Sequence, residues 1–92
     1  MRLPWTLVAV KKECDGENIA YNSAEQIQYV EECAETCKGK SAMFAFGTSD
    51  YGTSRCEGGG CYCLCETAAR EDGTCNQVTH EGYRLYTYRN PG

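Results

Sequence analysis

The sequence predicts an α+β fold: a small disulfide-rich domain in which one helix packs across a roughly five-stranded antiparallel sheet. Three observations lead there. Eight of the 92 residues are cysteine, the density of a disulfide scaffold. One segment carries helical periodicity, while several β-branched or aromatic runs bounded by turn residues read as strands. The cysteine spacing of the helix also matches that of one strand.

The length fits a single domain over residues 1–92. A core this small only marginally offsets the entropy of ordering the chain. Four bridges of about 2–4 kcal/mol each would decide the balance. An even cysteine count in a short chain places it in an oxidising, extracellular setting. Lys+Arg 9 against Asp+Glu 13 gives a net charge of -4, which argues against a nucleic-acid or heparin binder. No apolar run reaches the ~20 residues of a membrane span. The stretch Leu3–Val10 contains Pro4 and runs straight into Lys11 and Lys12, so it reads as a first strand rather than a secretory signal; a secreted form would have lost its signal already.

Trp5 to Val10 is the first strand, Cys14 to Asn18 a turn, and Ile19 to Tyr21 a short second strand. Asn22 and Ser23 are N-cap candidates, and Ser23 with Gln26 suggests a capping box. Ile27, Val30, Cys33, Ala34 and Cys37 share one helical face, opposite Glu25, Glu31, Glu32 and Glu35, and Gly39 is a natural stop. Met43 to Phe46 reads as a strand, Gly47 to Gly60 as a loop, and Cys61 to Cys65 as a strand. Glu66 to Val78 reads as a polar connection with a turn at Glu71-Asp72-Gly73, and Tyr83 to Tyr88 as the last strand.

Cys33 and Cys37 stand at i and i+4 on the helix, about 5–6 Å apart at Cβ. Cys61, Cys63 and Cys65 share one face of their strand, about 6.6–6.8 Å apart. Two parallel disulfides therefore fit between helix and strand. The remaining strand cysteine, with Cys14, Cys56 and Cys75, would form two more bridges, in a connectivity the sequence leaves open. Zinc is disfavoured because C-x3-C and C-x-C-x-C lack the usual C-x2-C pairs. Tyr62 and Leu64 would face away from the helix. We expect Arg84, Tyr86 and Tyr88 on that outer face as well, forming with Tyr62 a Tyr-rich ligand-binding surface; cross-strand packing is the competing use of these rings.

The segments Val30-Glu31-Glu32-Cys33-Ala34-Glu35-Thr36-Cys37, Met43-Phe44-Ala45-Phe46-Gly47 and Gly60-Cys61-Tyr62-Cys63, in this order of elements, resemble the PAN/apple domain over nearly the whole chain. The resemblance implies a five-stranded antiparallel sheet crossed by one helix, in extracellular proteins that bind proteins or carbohydrates without catalysis. In that family the second helix cysteine pairs with one entering the next strand, where this chain has Ser41 and Ala42; Cys37 would then go to the 61–65 strand. Family members also close with a late cysteine, and the last here is Cys75, which leaves the partner of Cys14 open. C-x3-C followed by C-x-C is also similar to the cysteine-stabilised αβ motif of defensins and scorpion toxins, which implies action on membranes or channels.

Catalytic chemistry is thinly represented. His80 is the sole histidine and sits in a polar stretch; Ser23, Ser41, Ser49 and Ser54 have no identifiable base; no C-x-x-C exchange motif occurs. Asp15, Glu17 and Asn18, or Glu71 and Asp72, read as solvated turns and match no EF-hand loop. No N-x-[ST] acceptor is present. The sequence therefore predicts a secreted, monomeric, non-catalytic recognition or adhesion module without a cofactor, whose partner is a protein or glycan. A toxin-like or host-defence peptide is the alternative.

Overall fold

The computed structural model describes residues 4–22, 27, 29–47 and 62–88. In chain order they form β1 (Thr6–Cys14), β2 (Ile19–Asn22), α1 (Val30–Cys37), β3 (Met43–Gly47), β4 (Tyr62–Cys65) and β5 (Gln77–Thr87). The five strands pair antiparallel in one sheet, in the order β1-β5-β3-β4-β2. One helix and five antiparallel strands match the expected α+β class.

β3 lies at the centre, and all five of its residues are buried. Successive strand side chains point to opposite faces. Phe44 and Phe46 join the helix-side cluster with Val30, Cys33, Ala34, Cys37, Cys63, Cys65 and Tyr86. Met43 and Ala45 join Cys14, Leu64, Tyr83 and Leu85 on the other face, against which Ala69 and Cys75 pack. The sheet thus has two cores, and the segment after β4 covers the face opposite the helix.

Among the described residues three disulfides tie these layers. Cys33–Cys63 and Cys37–Cys65 join α1 to β4 with Cα separations of 5.5 and 5.1 Å, so the matched spacings do produce a double rivet. Cys14–Cys75, at 5.6 Å, fastens the end of β1 to the segment before β5. Cys75 is thus the partner of Cys14 that the sequence left open. None of the described cysteines is free; Cys56 and Cys61 lie outside the described residues, as does the expected loop from 48 to 60.

α1 begins later than the Ser23 cap predicts. Its N-cap is Tyr29, whose backbone N–H donates to Glu32 Oε1 at 3.1 Å. Glu32 occupies the N3 position, from which a carboxylate reaches back to an otherwise unpaired amide; residues 23–26 lie outside the described residues. Gly39 follows with φ 79, the left-handed step that closes a helix readily only at glycine.

β5 begins six residues before the Tyr83 start the sequence suggests, because Gln77, Val78 and Thr79 pair with Cys14, Glu13 and Lys12. That polar ribbon is half exposed and lacks the apolar alternation that marks a strand in sequence. Register shifts occur between Leu7 and Ala9, where Val8 is an extra residue of β1, and between Val10 and Lys12, where residues 80–83 of β5 stand against Lys11 alone. Lys11 has φ 58, a left-handed step at the second of these irregularities.

Candidate functional site

The cross-strand register corrects the expected Tyr surface. Phe44 lies opposite both Cys65 and Tyr86, and directly opposed residues share a face. Cys65 is bridged to the helix, so Tyr86 lies on the helix side, as do Arg84 and Tyr88 two residues either way. Tyr86 stacks on Phe44 with ring centroids 5.0 Å apart and is buried. Arg84 is half-buried beside it, its Nε enclosed without a hydrogen-bond partner. Tyr62 is exposed at the edge of the other face. The structure therefore separates Tyr62 from the other three. It turns Tyr86 into core, while Tyr88 stays half-exposed.

A cleft of about 500 Å³ opens between α1 and the residues flanking the start of β1 and the end of β5; Trp5, Glu31, Ala34, Glu35, Lys38 and Tyr88 are among the residues that line it. Its size falls in the range of small-ligand sites. Trp5 stands edge-on to Phe44 at 6.0 Å and to Tyr86 at 5.4 Å, so packed rings hold the indole. Tyr88 tilts against Phe44 at 5.1 Å, and its hydroxyl donates to the carbonyl of Ala34. That bond clamps the end of β5 to the helix. Burial pushes the Tyr88 hydroxyl well above the ordinary phenol range, and the Glu35 carboxylate pushes it further. Burial also raises Tyr86, with Arg84 partly opposing and Glu31 adding to the rise. The helix contributes Glu31, Ala34 and Glu35, spaced i, i+3 and i+4 on one stripe, and Lys38 follows at its C-cap. The sequence reads Trp5 as a strand residue and the helix glutamates as a solvated face that could also meet a basic partner.

The opposite face holds a second group the sequence does not reveal. Glu66, placed in a polar connection by its neighbours, is fully buried. Its Oε2 accepts from the amide of Cys14, while Oε1 is enclosed without a partner. Burial raises its pKa to about 7, with the Cys14 amide lowering it and the nearby Glu13 charge raising it. Tyr83 is raised to about 12, chiefly by burial and then by Glu13. The ring of His80, an exposed residue, meets Tyr83 edge-on at 4.6 Å. Ser41 Oγ donates to the carbonyl of Met43 at 2.7 Å, a structural bond.

The sulfurs of Cys33, Cys37 and Cys63 lie within 4.8 Å of one another. All three are oxidised in disulfides, so they offer no thiolate to a metal ion. Among the described residues no helix is long and apolar enough to cross a membrane. Three disulfides suit an oxidising environment. Comparisons with protein-family models, with curated proteins and with solved structures gave no match to this chain.

Proposed function

We propose that this chain is a secreted, non-catalytic recognition module of PAN/apple-like kind, binding a protein or carbohydrate in the cleft beside Trp5 and Tyr88. The observation that carries the reading is this aromatic-walled cleft on a scaffold whose helix is bridged twice to the sheet. Rigid aromatic rings give contact area at little entropic cost on binding. Of the four residues first expected at the site, Tyr88 forms a wall, Tyr86 supports it from beneath with Arg84 at its side, and Tyr62 stands apart.

The test is binding of the oxidised protein to arrays of glycans and of secreted or cell-surface proteins. The ligand found should bind Tyr88→Ala several-fold more weakly, with circular dichroism confirming the fold, and Tyr62→Ala equally well. No ligand on either array, or a loss confined to Tyr62→Ala, refutes the proposal. The double bridge from C-x3-C to C-x-C also supports the second reading, a host-defence or channel-directed peptide. Against that stand the five-stranded sheet and the net charge of -4. Leakage of anionic vesicles at micromolar protein would favour it.

A further inference from the structure

The geometry points to a cationic occupant for the cleft: an Arg or Lys side chain presented by a basic segment of a protein partner. This rests on the recognition reading above and names the chemistry recognised. Two kinds of observation combine. The walls are aromatic, and Trp and Tyr faces attract cations through the ring quadrupole. The rim carries Glu31 and Glu35 one turn apart on α1, both exposed, and among the described residues neither takes part in an ion pair. Glu32, by contrast, is committed to the Tyr29 amide.

The two carboxylates belong to the cleft itself, which they line together with Trp5 and Tyr88. An anionic ligand would meet both charges at close range. A neutral sugar would use the rings but leave the carboxylates without a counter-charge. Glutamates spaced about 5–6 Å apart along a helix suit successive basic groups on an extended segment better than one small cation. Lys38, which follows the last residue of α1 and lines the same cleft, repels a cation there and directs it toward the two glutamates. The chain's net charge of -4 adds long-range attraction for a basic partner.

Trp5 is the sole tryptophan, so intrinsic fluorescence reads this cleft directly. The probe is acetyl-hexaarginine amide, with hexaglutamate and N-acetylchitotetraose as comparisons, added to the oxidised full chain. We expect a saturable change in Trp5 emission with hexaarginine only, weakened by added salt. Glu31→Gln with Glu35→Gln should weaken binding about fivefold, the equivalent of two partly exposed charge contacts. Lys38→Gln should tighten it. Glu71→Gln with Glu81→Gln makes the same change in net charge at two exposed positions elsewhere and should leave the affinity unaltered. No saturable response to hexaarginine by about 1 mM, the regime of very weak binding, overturns the inference. Equal weakening by the two charge-matched pairs does so too, because it would mean attraction by net charge alone. A glycan that binds at Trp5 while hexaarginine is inert overturns the cation chemistry and leaves the recognition reading standing; empty arrays sink that reading itself.

Discussion

Replacing Glu66 by glutamine should change how stability depends on pH, in a direction the buried carboxyl dictates. Glu66 is fully enclosed, one oxygen held by the Cys14 amide and the other without a partner. Burial lifts its pKa from an ordinary 4.5 to about 7. Below pH 4.5 the carboxyl is protonated whether the chain is folded or not, and the fold keeps its full stability. Between 4.5 and 7 the unfolded chain releases this proton and the folded one does not, so stability falls as pH rises. A shift of this size corresponds to about 3 kcal/mol at 1.36 kcal/mol per pH unit. The amide of Glu66→Gln has no proton to lose over that range. Urea unfolding of both proteins at intervals from pH 4 to 8, disulfides intact, isolates the effect in the difference between them. The wild type should lose about 3 kcal/mol relative to Glu66→Gln across that range, with most of the change below pH 7. A pH-independent difference, or one of opposite sign, refutes the claim that Glu66 is buried in its neutral form.

The two α1–β4 bridges should not contribute additively. Their loops interlock, so once one is closed the other constrains only a small ring. By loop entropy, losing either alone through a Cys→Ser pair costs about 2–3 kcal/mol and losing both about 6 kcal/mol, measurable by denaturant unfolding; equal steps would contradict the interlocked geometry. Gly47→Ala should destabilise by about 1–3 kcal/mol, because a Cβ there would lie 2.6 Å from the Tyr83 ring. Thermal unfolding of Gly47→Ala alone and combined with Tyr83→Leu checks this, and the smaller side chain should restore most of the loss.

The helix-to-strand rivet was legible because two local periodicities had to agree, and each could be read from a few residues. Five strands and one helix followed from alternation and turn chemistry in the same local way. The face on which Tyr86 and Tyr88 lie was not legible. It depends on Phe44 sitting opposite both Cys65 and Tyr86, a register that joins segments far apart in the chain. Glu66 escaped notice for a related reason: its neighbours Thr67 and Ala68 are exposed, and only the fold brings the Cys14 amide over its side chain. The cleft at Trp5 likewise exists only once the fold brings Trp5 and Tyr88 beside α1.

The irregular course of β1 has a consequence for how this protein behaves in concentrated solution. β1 is an outer strand of the sheet, and it displays Leu7, Val8 and Val10 to solvent. A straight strand of that composition would offer an unpaired backbone edge to a neighbouring molecule and seed fibrils. The interruptions at Val8 and Lys11 throw its amides and carbonyls out of step with any straight incoming strand, and Lys11 and Lys12 set charge beside the apolar row. The kinks thereby keep a sticky stretch of sequence from recruiting further copies.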